Sequence, residues 1–72
     1  TIKGLVALLD KLRLGGRVVM VCYPGHKEGK KEAKALIAYL KTLKQDYYEC
    51  IQYRFLNQIN EPPFVLAIER IQ

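Results

Sequence analysis

Two short apolar runs constrain this chain more than anything else in it: RVVMVCY over residues 17–23 and FVLAI over 64–68. Each is rich in β-branched residues and nearly unbroken, and Gly or Pro stands at its boundary. Runs of this length and composition read as strands buried on both faces, as in a sheet covered by helices. Between and before them the apolar period changes from continuous to helical. Ile2, Leu5, Val6, Leu9 and Leu12 recur at threes and fours, with Lys11 and Arg13 in the expected last turn and Gly15-Gly16 as the stop. From about Glu28 to Lys44, Ala33, Leu36, Ile37, Leu40 and Leu43 line one side of a second helix.

A third extended segment lies between that helix and FVLAI. In YYECIQYRFL (47–56), Tyr47, Glu49, Ile51, Tyr53 and Phe55 alternate with Tyr48, Cys50, Gln52, Arg54 and Leu56. Mixed polarity on both faces suits an edge strand. The order is therefore helix, strand, helix, strand, strand, an α/β chain with no internal repeat. The first strand–helix–strand unit predicts a right-handed crossover with parallel strands. The short connection to the last strand predicts an antiparallel pair. Because FVLAI is the more apolar, it is expected in the middle, giving the sheet order 1-3-2 with the last strand antiparallel. That order leaves the apolar first strand at an edge, a pairing hazard unless something covers it.

With 72 residues there is room for one domain, of a size that buries only about 60% of its unfolded surface. The balance of 50% hydrophobic and 26% charged residues is that of a globular chain. No apolar stretch is long enough to span a bilayer, and no basic lead precedes an apolar block as in a secretory leader. A chain that opens on Thr1 is expected to be a piece of something larger. Cys22 and Cys50 sit in apolar runs without metal-ligand or CxxC spacing. They read as small buried hydrophobes of a reducing compartment, here the cytoplasm. With one His, no metal site is expected. The net charge of +5 favours a polyanionic partner, such as nucleic acid, over an acidic protein surface; a soluble domain that is merely basic is the alternative.

Chemistry is expected on one rim. Ligands of open α/β sheets bind beyond the carboxyl ends of the strands. The first strand runs into Tyr23-Pro24-Gly25-His26, and the second, parallel to it, into Asn57-Gln58-Ile59-Asn60-Glu61-Pro62-Pro63. His26 is a candidate general base, a contact residue, or a helix cap. Tyr23 can stack on a base or simply pack. Asn57, Gln58 and Asn60 can read a base edge or close a turn. Lys27, Lys30, Lys31 and Lys34 can meet phosphates or form a solvated helix face. The backbone N–H groups near Gly29 can hold an anion. Cys22 lacks an activating partner and is a poor nucleophile.

These residues carry a resemblance. LRLGGRVVMVCYPGHKEGKKEAKAL and YLKTLKQDYYECIQYRFLNQINEPPFVLAIER resemble the C-terminal half of the rRNA methylase family, small class I methyltransferases of the YtqB/MnmM type dependent on S-adenosylmethionine. The signatures are YPGH…GK.EA and NQ.N.PPF. The resemblance implies the last part of a Rossmann-like methyltransferase sheet and S-adenosylmethionine as cofactor. The cofactor would be bound mainly by an N-terminal half that this chain lacks, since the glycine-rich loop and its acidic partner have no counterpart here. It implies RNA as partner, specifically transfer RNA methylated on the 5-aminomethyl group of the wobble uridine. Tyr23, Pro24, Gly25 and His26, with Asn57, Gln58, Asn60, Pro62 and Pro63, would form the substrate side. The unpaired first strand would join the missing half or a second copy. The alternative is a non-catalytic basic module that binds RNA or self-associates.

Overall fold

The computed structural model describes residues 2–72 and has the expected element order. Helix α1 spans Ile2–Asp10, strand β1 Arg17–Cys22, helix α2 Lys27–Leu40, strand β2 Tyr48–Tyr53 and strand β3 Phe64–Arg70. The sheet order is β1-β3-β2, and β3 is antiparallel to both neighbours. β1 and β2 therefore run parallel to each other with β3 inserted between them, as the more apolar character of β3 than of β2 predicts.

Register follows from the pleat. Val18, Met20 and Cys22 lie opposite Ile68, Leu66 and Phe64. This set forms a single core with Leu5 and Leu9 of α1 and Ala33, Leu36 and Leu40 of α2, and Ile68 at its centre is fully buried. Both helices thus cover one face, and the molecule has two layers. The opposite face shows why β1 departs from expectation. Val19 and Val21 are exposed, as are Ile51 and Tyr53 on β2, because among the described residues no element lies over them. The first strand is apolar on both faces but buried on one.

Both helices end earlier than their apolar periods. Past Asp10 the turn tightens, with the Lys11 and Leu12 N–H groups bonding to Leu8 and Leu9 carbonyls. Lys11 and Arg13 consequently fall beyond the helix rather than in its last turn. Arg70 Nη1 donates to the Leu12 carbonyl at 2.6 Å, satisfying a helix-end acceptor from the far end of the sheet. Gly15, at φ 81°, turns the chain into β1 and donates its N–H to the Arg70 carbonyl. α2 stops at Leu40, where the Thr42 N–H and Oγ1 both bond to the Tyr39 carbonyl. Leu43 still packs against the core from the following turn.

Cys22 is buried as expected, but Cys50 is exposed. It lies on the edge strand, in an open groove between α2 and β2 beside Ile37 and Leu40. Among the described residues, no helix is long and apolar enough to cross a membrane.

Candidate functional site

Because Cys22 pairs with Phe64 and Tyr53 with Val65, the carboxyl ends of β1 and β2 meet the beginning of β3 on one rim. The YPGH turn and the NQINEPP loop therefore face each other. Lys30 Nζ, one turn into α2, ties them together by an ion pair with Glu61 Oε1 at 2.5 Å. A Cβ on Gly25 would lie 3.9 Å from the Glu61 carbonyl oxygen, ordinary contact distance. Glu61 itself takes a positive φ of 49°, a strained choice for a residue with a side chain.

The turn is built around a close approach. A Cβ on Gly29 would overlap the Tyr23 carbonyl oxygen, so only glycine lets the first turn of α2 sit this tightly against the end of β1. His26 is the N-cap: its backbone is extended, and its Nδ1 accepts the Gly29 N–H at 3.1 Å. Its carbonyl accepts the first helical bond, from Lys30. The cap has two consequences. The Gly29 N–H is occupied by His26 and does not face an anion. With Nδ1 accepting, the imidazole hydrogen sits on Nε2, so the exposed nitrogen is a donor.

Two of the cavities on the rim lie beside α2, and most of the candidate residues divide between them. The larger, about 420 Å³, lies between α2 and the NQINEPP loop and gathers Pro24, Gln58 and Pro62 with Lys30 and Lys34. The smaller, about 250 Å³, lies along the free edge of β1 and gathers Tyr23 and His26 with Gly29 and Glu32. Pro63 lines a third hollow, with Tyr53 and Phe55, toward the uncovered face. Asn57, Asn60, Lys27 and Lys31 are exposed and line none of these cavities.

Arg54, Phe55 and Glu61 line the larger cavity, although no motif marks them. Arg54 leaves β2 on the helix-covered face, with its guanidinium carbon 4.0 Å from the Phe64 ring centroid. With its amide oxygen turned inward, Gln52 accepts from Arg54 Nε at 3.1 Å and Nη2 at 2.7 Å. The alternation of β2 sets the face of Arg54; that it shares a cavity with Lys34 depends on how α2 packs.

Burial pushes the Cys22 thiol above its ordinary range; the Glu32 carboxylate adds to this and the Arg54 cation opposes it. Burial also raises the Cys50 thiol. Neither is an activated nucleophile. Among the described residues, no three His, Cys, Asp or Glu side chains converge as metal ligands would.

The chain is similar to known proteins in sequence and in fold. Residues 1–69 match the model of a family described as Putative rRNA methylase. A putative methyltransferase of Streptococcus mutans in complex with SAH is 33% identical, with TM-score 0.86 over 97% of this chain and 38% of that one. An rRNA methylase of Streptococcus thermophilus is 32% identical, with TM-score 0.85 over 99% of this chain and 39% of that one. A putative rRNA methylase of Clostridium thermocellum is 31% identical, with TM-score 0.93 over 97% and 38%. The chain spans about two fifths of the length of these relatives. The fold is accordingly a partial Rossmann-like methyltransferase fold, ending in the inserted antiparallel strand. On the match over residues 1–69 and these three structures, the chain belongs to the Putative rRNA methylase family.

Proposed function

We propose that this chain is the C-terminal part of a cytoplasmic RNA methyltransferase that uses S-adenosylmethionine, and that it supplies the substrate side of the active site. The observation that carries the reading is the meeting of the YPGH and NQINEPP loops on one rim, in a chain matching an rRNA methylase family almost end to end. The substrate we favour is transfer RNA, methylated on the 5-aminomethyl group of the wobble uridine; ribosomal RNA is the comparison substrate.

The residues present do not fit the cofactor. No glycine-rich strand-to-helix loop of the nucleotide-binding kind occurs, and the Gly29 N–H at the helix start already serves His26. We therefore assign S-adenosylmethionine mainly to a part of the protein beyond this chain.

This chain's contribution is positioning. A primary amine must be unprotonated to accept a methyl group, and a desolvated pocket favours that form. Tyr23 offers an aromatic surface for a base, and Asn57, Gln58 and Asn60 offer amides that donate and accept. Pro24, Gly25, Pro62 and Pro63 shape the two loops without adding donors of their own from the prolines. His26 presents Nε2–H to a substrate oxygen; it becomes a proton acceptor only when its cap opens. Lys27, Lys30, Lys31 and Lys34 supply positive potential for the RNA backbone.

The free edge of β1 is the proposed junction with the rest of the enzyme. It is hydrogen-bonded to β3 on one side only, and Val19 and Val21 are exposed beside it. Relatives more than twice as long as this chain have the length to cover it. A second copy is the other occupant that the edge can accept, which would make a homodimer.

The test is methyl transfer by this chain fused behind the N-terminal portion of the Streptococcus mutans relative, with tritiated S-adenosylmethionine. Label in transfer RNA, lost when the wobble uridine carries no aminomethyl group, supports the full reading. Label in ribosomal RNA alone retains the class and replaces the substrate. No label in either RNA overturns the enzyme reading and leaves the binding module.

A further inference from the structure

The larger of the two rim cavities beside α2 has a charge pattern that its motif residues do not explain. Lys30 and Lys34 enter it from successive turns of α2, and Arg54 enters from the end of β2. The only carboxylate lining it is Glu61, which is paired with Lys30. Among the described residues, Lys34 and Arg54 make no ion pair, so two cations share a concave site with no counter-charge. Arg54 is also held in place before any ligand arrives. Its guanidinium rests on the Phe64 ring, and with the Gln52 amide turned as above its oxygen would take Nε and Nη2, leaving Nη1 to donate. Phe55, exposed on the same wall, offers an aromatic surface next to these charges. A solvated lysine face would show none of this convergence, and Lys27 and Lys31, which line none of the cavities described above, take no part in it.

We propose that the cleft between Lys34 and Arg54 binds a phosphodiester of the RNA strand, with the neighbouring base against Phe55. Glu61 acts as a latch, holding Lys30 until a phosphate competes for it. The assignment rests on the RNA reading above and adds to it a phosphate site, an arginine and an acidic latch. A guanidinium fixed on an aromatic ring and aimed into a concave site is suited to phosphate oxygens. The flanking aromatic makes the site one for a nucleotide in single-stranded form, where bases are free to stack.

The experiment is fluorescence anisotropy of the 72-residue chain with a labelled transfer RNA anticodon hairpin, from about 50 to about 200 mM salt. Arg54→Gln and Lys34→Gln should each weaken binding about tenfold and lower the salt slope by about one. Arg54→Lys should keep the slope, and Lys3→Gln, on α1, should change affinity less than about twofold. Glu61→Gln, which frees Lys30, should strengthen binding. Equal binding by Arg54→Gln, Lys34→Gln and Lys3→Gln would overturn the proposal, as would weaker binding by Glu61→Gln. A second arm titrates inorganic phosphate and follows amide shifts around Lys34. Phosphate binding there without hairpin binding would mean a free-phosphate site and would also overturn it. Anisotropy does not read methyl transfer, so failure of the enzyme reading in its own assay is distinguishable from failure of the cleft.

Discussion

Gly29 and His26 show how closely the rim is specified at the level of single residues. In the first turn of a helix, Ala is ordinarily better than Gly by up to about 1 kcal/mol. Here the added methyl would meet a backbone oxygen, which cannot swing aside as a side chain can. Overpacking of this kind costs about 1–3 kcal/mol. Gly29→Ala should therefore lower the urea midpoint despite the propensity gain, and a raised midpoint would show that the turn relaxes. His26→Ala should cost about 1 kcal/mol through loss of the cap, while His26→Asn, a good N-cap, should stay near the parent stability. Equal losses in both variants would mean that the cap contributes little. Cys22 gives a pH signature. Its thiol is raised by burial, so the unfolded chain releases that proton first as pH climbs. Its stabilising contribution is whole below the ordinary thiol range and declines as pH rises through it. Cys22→Ala should flatten the alkaline fall in stability, and an unchanged pH profile would contradict this. Arg54, by contrast, is not legible in the sequence as a site residue. It reads there as one more charge on an edge strand, and only the packing of α2 brings Lys34 into the same cavity.

Among the elements, β3 carries the fold. It pairs on both sides and holds Ile68 at the centre of the core. Ile68→Ala should cost about 2–5 kcal/mol in urea unfolding. Ile51→Ala, on the uncovered face of β2, should cost within about 0.5 kcal/mol. Similar losses at the two positions would contradict the two-layer arrangement. The strand order is legible because the difference in polarity between YYECIQYRFL and FVLAI ranks edge below centre. The helix ends are not, because Leu12 and Leu43 keep the apolar period going after the helical hydrogen bonds have stopped. Nothing local marks those stops: α1 ends near a carbonyl taken by Arg70, which lies 58 residues away in the chain. The double apolar character of β1 is plain in its residues, but the cover it implies for the second face is not supplied by this chain.

That uncovered face governs the behaviour of the whole molecule. Val19, Val21, Ile51 and Tyr53 leave an apolar sheet surface beside an unpaired strand edge. The isolated chain should self-associate with rising concentration in sedimentation velocity, and Val21→Lys should reduce the association. A monomer at every concentration for the unsubstituted chain would argue against an interface there. In the fused enzyme the same surface should be covered and the association lost. The central claim is that the paired YPGH and NQINEPP loops serve the substrate and leave the cofactor to the remaining part of the protein. Its most direct test compares the fused enzyme with its Asn57→Ala and His26→Ala variants, by calorimetry with S-adenosylmethionine and by single-turnover methyl transfer to RNA. The account predicts cofactor affinity unchanged within about twofold and transfer reduced by about tenfold or more. Cofactor affinity lost in both variants, with transfer falling only in proportion, would contradict it.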